Sequence, residues 1–73
     1  PTVFPNPGTH TCHWNLERVT TVQMLDMTGR TVAEWFDMAP GFQSWSTETP
    51  GVYLLVGTEE NGQTWTQRWI ARP

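Results

Sequence analysis

The sequence contains no lysine, a single cysteine and no apolar run approaching the ~18 residues that a membrane-spanning helix needs. Each absence closes off a class of function. Without lysine, the only fixed positive charges are Arg18, Arg30, Arg68 and Arg72, set against seven acidic residues for a net charge of −3. Binding nucleic acid or an anionic membrane takes a concentrated basic patch, which four scattered arginines do not make. Cys12 has no partner for an intrachain disulfide, and alone it does not report a redox compartment. Direct membrane insertion is not expected. The chain carries no signal-peptide pattern and starts at Pro1, so it reads as a piece of a longer protein.

What is present points to a small β domain. Seventy-three residues bound one domain, with enough apolar side chains for a core but little room for a deep catalytic cleft. Turn signals fall at Pro5-Asn6-Pro7-Gly8, Thr28-Gly29, Ala39-Pro40-Gly41, Pro50-Gly51 and Asn61-Gly62. Gly29, Gly41, Gly51 and Gly62 lie 12, 10 and 11 residues apart, room for one short strand and a turn each time. The longer gap after Gly8 is expected to turn at Glu17-Arg18.

Twelve threonines and six valines bias the intervening segments toward strands. Cys12, Trp14 and Leu16 alternate with Thr11, His13 and Asn15, and Val22 and Met24 alternate with Thr21 and Gln23. Asn61-Gly62 predicts a type I′ hairpin joining a strand near Val52–Gly57 to one near Gln63–Ala71. Val32, Trp35 and Phe36 fit helical spacing as well as strand spacing. Val52-Tyr53-Leu54-Leu55-Val56 is apolar on both faces, so it is either covered twice or shows an apolar face to something else. With a lead-in strand at Val3-Phe4, the expected fold is all-β: about seven antiparallel strands in an immunoglobulin-like β-sandwich.

Catalytic chemistry finds little support. His10, Cys12 and His13 cannot complete a four-ligand structural zinc site, and the plainer reading is a buried thiol flanked by two imidazoles. The serines, Ser44 and Ser46, have no neighbouring histidine and no Gly-x-Ser-x-Gly elbow. Glu59-Glu60 reads as a solvated hairpin tip, the methionines as core and gap fillers, and the singly spaced glycines form no phosphate loop. No enzyme activity and no cofactor are expected. The five tryptophans divide between two uses: packing a small core, or presenting rings to a sugar or a protein. Trp65 and Trp69 share one face of the last strand, opposite Thr66, Arg68 and Ile70.

The ordered motifs resemble a known family. Val3-Phe4-Pro5-Asn6-Pro7-Gly8 is similar to its (V/Y)-(Y/F)-P-N-P-(A/G) opening. Val22 to Val32 is similar to its v-x-v-x-D-x-x-G-R-x-V strand–turn–strand, and Gly51-Val52-Tyr53 to its G-V-Y strand, before a final strand holding Arg68. These resemble the type A C-terminal sorting domains of the type IX (Por) secretion system of Bacteroidetes-group bacteria. The resemblance implies a seven-stranded sandwich that serves as an address on a larger secreted protein. An N-terminal cargo in the same precursor would pass through the periplasm. The outer-membrane translocon and its shuttle proteins would then read the folded domain. A sortase-like signal peptidase would cleave upstream, leaving the cargo at the cell surface or in the medium.

Roles carried over by position follow from that resemblance. Pro5 and Pro7 fix the opening turn, and Asn6 bonds its own backbone there. Asp26 holds the turn amides, with Gly29 supplying positive φ. Arg30 and Arg68 are offered to a partner or to Asp26. Gly51 opens the G-V-Y strand, Tyr53 packs in the core with its hydroxyl on a backbone partner, and Ile70 belongs to the closing strand. Strand addition along an edge, the last strand among the candidates, is one recognition mode. Glu48 departs from the family's leucine before Gly-Val-Tyr, which predicts a loosened turn or an altered contact before Pro50. The alternative reading is a carbohydrate-binding or adhesive module using exposed tryptophans.

Overall fold

The computed structural model describes the whole chain, Pro1–Pro73. Six strands follow one another: β1 (Thr11–Leu16), β2 (Thr20–Leu25), β3 (Thr31–Met38), β4 (Gly41–Ser46), β5 (Gly51–Glu59) and β6 (Thr64–Ala71). They form two antiparallel sheets, β1-β4 and β3-β2-β5-β6. The turn signals fall in the connections or at their exits, where Gly41 and Gly51 open β4 and β5, and the bend at Glu17-Arg18 separates β1 from β2.

The inward residues of the sheets meet in one core of Val3, Cys12, Trp14, Leu16, Val22, Met24, Tyr53, Leu55, Trp69 and Ala71. Alternation along β1, β2, β5 and β6 supplies these positions, as period-two strands require. All five tryptophans point inward. Trp14 and Trp69 are fully buried, and Trp35, Trp45 and Trp65 pack half-buried against the core. Trp14 packs its ring on Trp35 at 5.6 Å between centroids, while its indole N–H is buried without a partner.

Three expectations change. The seventh strand reduces to a single bridge, Phe4 to His13. Pro5 and Pro7 follow immediately and have no amide hydrogen to continue a ladder, so pairing stops there. The segment holding Val32, Trp35 and Phe36 is a strand, not a helix. It carries an extra residue against β2 on either side of Ala33–Trp35, and these bulges scramble the alternation that would have marked it as a strand. Finally, Asn61 does not take positive φ. Gly62 alone does, at 88°, and its N–H reaches the Glu59 carbonyl at 2.8 Å. That is a type I turn closed by a glycine bulge rather than type I′.

β5 is central in its sheet yet covered on one face only. Its outward residues Val52, Leu54 and Val56 lie beside Leu25 on β2 and Ile70 and Arg68 on β6. The result is an apolar band, with Leu54 39% exposed, on the outer surface of the four-stranded sheet.

Candidate functional site

The turn between β2 and β3 is organised by one carboxylate. Asp26 Oδ1 accepts the Thr28 hydroxyl at 2.6 Å, the Thr28 N–H at 2.9 Å and the Arg30 N–H at 3.1 Å. Asp26 Oδ2 takes the Arg30 Nε at 3.1 Å, so Arg30 pairs within the fold while its side chain stays largely exposed. Backbone bonds from Gly29 N to Asp26 O and from Asp26 N to Arg30 O close the loop at 3.0 and 2.9 Å. Gly29 sits at φ 85°, where a side chain would be strained. The Thr28 hydroxyl, the two amides and the Arg30 charge together hold the Asp26 carboxyl below its usual range.

The Pro5-Asn6-Pro7 segment does not fold on itself. Asn6 instead spans the outer edge of β6: its Nδ2 donates to the Arg68 carbonyl at 2.6 Å, and its Oδ1 accepts the Ile70 N–H at 3.1 Å. Gly8 N–H donates to the Ile70 carbonyl and Gly8 C=O accepts from Arg72, extending the pairing. Buried Trp69 fixes the same segment from inside, its indole N–H donating to the Pro5 carbonyl at 2.8 Å. Composition gave no signal for that contact, because Trp69 reads equally well as plain core.

Tyr53 is buried, its hydroxyl donating to the Thr49 carbonyl at 2.6 Å. Thr47 Oγ1 accepts the Thr49 N–H at 3.1 Å in the same loop. The segment around Glu48 is therefore held rather than loosened, with the Glu48 side chain facing solvent. Arg68 forms no ion pair, and stands exposed across from Leu54.

These residues share one end of the molecule. Leu25 pairs with Leu54, Leu54 with Arg68 and Gly51 with Ala71, so the end of β2, the start of β5 and the end of β6 coincide. There Asp26, Arg30, Gly51 and Tyr53 line an open groove of about 480 Å³, with Trp45, Val32 and Val52 among its other walls. Gly29 lies in the same turn, and Pro5, Asn6 and Pro7 clasp β6 beside Arg68 and Ile70. The opposite end, where Thr20 meets Glu59 and Thr58 meets Thr64, carries none of the motif positions.

No three or more His, Cys, Asp or Glu side chains come together as metal ligands. Cys12 is fully buried opposite Trp45, and burial pushes its thiol up to about 11. His13 lies against Phe4 with 5.7 Å between rings, and His10 is exposed. Ser44 and Ser46 lie on the solvent face of β4. The alternative reading, a glycan-binding module, would have to use half-buried indoles, since Trp35, Trp45 and Trp65 are the most exposed of the five.

No curated protein and no solved structure matches the chain. A family model does: the secretion system C-terminal sorting domain matches residues 2–72, nearly the full length. That family is one of sorting signals and not of enzymes. The chain therefore belongs to the type IX secretion C-terminal sorting domains, the signals that direct a cargo in the same precursor to the cell surface or medium.

Proposed function

We propose that the motif-bearing end of this folded domain is the address that the outer-membrane type IX translocon and its shuttle proteins read during transit through the periplasm. The cargo is then freed upstream of the domain by a sortase-like peptidase. The observation that carries this reading is the convergence of the Asp26 turn, the Asn6 clasp, Arg68 and Ile70 on one end of the sandwich. A partner meeting that end finds a pre-ordered turn, an uncommitted guanidinium at Arg68 and the apolar band of Leu54, Val52 and Ile70. Such a combination of a fixed charge beside an apolar surface suits recognition of a rigid domain by a protein.

The test is export. The chain, joined through a flexible linker behind a periplasm-directed fluorescent protein, is expressed in a bacterium with an intact type IX system and in a translocon-deficient strain. Fluorescence at the surface or in the medium in the first strain alone is the expected result. Periplasmic retention in both, while a known sorting domain is exported, would overturn the reading. Truncating the end of β6 is uninformative, because Trp69 and Ala71 belong to the core. Arg68→Ala is the sharper variant. It removes an exposed side chain with no ion pair, so stability should change by no more than about 0.5 kcal/mol. Export should fall.

A further inference from the structure

Of the four exposed strand edges in the two sheets, three are obstructed. β3 carries bulges on its edge together with Glu34 and Asp37, features that discourage pairing. β6 is occupied along its final residues by Asn6 and Gly8. β1 is bridged on its outer side by Phe4, whose N–H and C=O both bond His13 at 3.0 and 2.8 Å. The fourth edge is β4, which pairs with β1 in unbroken register from Gly41 to Ser46. It carries no ionised side chain, no proline and no bulge.

The orientation of its free groups follows from the ladder. His13 points its backbone at Phe4, so Cys12, Trp14 and Leu16 point theirs at β4, where they meet Trp45, Gln43 and Gly41. The N–H and C=O groups of Phe42, Ser44 and Ser46 therefore point away from the sheet, in an extended row. The large groove opens beside the far end of this strand. Trp45 and Thr47 line it together with Arg30, which precedes β3, and Val32 near its start.

We propose that the open edge of β4 is a strand-addition site that receives an extended, uncharged and proline-free backbone segment of the export machinery. The segment's alternate side chains enter the groove beside Trp45 and Val32. This rests on the sorting-signal reading and names the chemistry of its partner. Backbone complementarity supplies the pairing and the groove supplies side-chain selection, the division of labour seen in strand addition generally. A second copy of this chain fits less well. It brings together two chains each carrying a net charge of −3.

Substitution at Ser44 tests this in the fluorescent cargo fusion. Ser44→Pro removes an outward N–H without touching the β1 ladder, a position where an edge strand accommodates proline. Ser44→Ala keeps the N–H. Export of Ser44→Pro should drop about tenfold or more, the loss of a ladder bond plus the steric block of the ring. Ser44→Ala should export normally, and proteolytic resistance of the domain should match in all three proteins. Thr66→Pro, on the part of the β6 edge that Asn6 leaves open, controls for proline at any edge and should export as the unsubstituted fusion does. Normal export of a folded Ser44→Pro would overturn the proposal while leaving the sorting reading intact, whereas failure of the unsubstituted fusion would remove that reading itself. Concentration-dependent dimerisation abolished by Ser44→Pro, with export unchanged, would assign the edge to a second copy and equally overturn the proposal.

Discussion

The turns after β2 and after β5 share one backbone device and differ in almost everything attached to it. Each is a type I turn ended by a glycine at positive φ, Gly29 at 85° and Gly62 at 88°. In each, the residue at the head of the turn bonds the residue four places on: Asp26 N to Arg30 O, and Glu59 N to Gln63 O at 2.7 Å. At Asp26 a carboxylate gathers a hydroxyl, two amides and a guanidinium. At the other turn the Asn61 side chain bonds Gln63 alone, accepting its N–H at 3.1 Å and donating to its Oε1 at 3.5 Å, and Glu59 reaches Arg18 at a loose 3.7 Å. A hairpin of this geometry needs only its glycine. The further ordering at Asp26 is more than the turn requires, and it occurs at the end where the other motif residues collect. A rigid turn presents its neighbours without an ordering cost at the moment of binding, which is the value of preorganisation.

Four experiments would break or sharpen that contrast. The largest effect is expected from Asp26→Ala, which should weaken the domain clearly more than Asn61→Ala in a paired thermal melt and should be the only one of the two to impair export. Equal losses at both turns would erase the distinction. Next come Gly29→Ala and Gly62→Ala, each forcing a side chain into the left-handed region at a cost of about 1–2 kcal/mol. Similar penalties in denaturant titrations are expected, because the backbone device is the same. A large disparity would show that the two loops differ in more than their attachments.

Acid supplies a third contrast. The Asp26 carboxyl titrates below its ordinary value of 3.8, so the folded state favours the ionised form. Its contribution is therefore complete above that ordinary value and is lost as pH falls through the lowered one. A pH series of melts should show this acid loss in the native chain and much less of it in Asp26→Asn. Identical acid limbs would place the sensitivity elsewhere. At the alkaline end the sign reverses for Cys12. Its folded thiol titrates at about 11 against an ordinary 9.0, so stability declines as pH rises through that window. The smallest effect is expected at the long Arg18–Glu59 pair, whose arginine is exposed, where Glu59→Gln should change stability by no more than about 1 kcal/mol.

Much of the architecture was legible in the sequence because strands with one wet face advertise themselves. β1 and β2 show clean alternation, and the glycine and proline punctuation falls in the connections or at the first residue of the next strand. β3 was ambiguous for a physical reason: bulges at an edge shift the phase of the side chains, and Val32, Trp35 and Phe36 then mimic helical spacing. The type of the Asn61-Gly62 turn was misread because both hairpin types place glycine at the same point in the sequence, and only φ at Asn61 separates them. Of the candidate site, the Asp26 turn was readable, since a short acidic side chain before two free amides and a glycine has few other uses. The Asn6 clasp was not. It joins residues more than sixty positions apart, and nothing local to Pro5-Asn6-Pro7 reveals which strand lies beside it. Sequence pattern likewise could not say which face of the Val52–Val56 run would stay open. That depended on β1 and β4 covering one side only.

The most direct test of the account exchanges one turn for the other. Asp26→Glu, Met27→Glu, Thr28→Asn and Arg30→Gln, with Gly29 kept, write the β5–β6 turn into the β2–β3 position while preserving the backbone geometry. In the cargo fusion, a folded domain that is retained in the periplasm is the expected result, because the hairpin survives and the ordered Asp26–Arg30 surface does not. Export at the level of the unsubstituted chain would contradict the claim that this end of the sandwich carries the address.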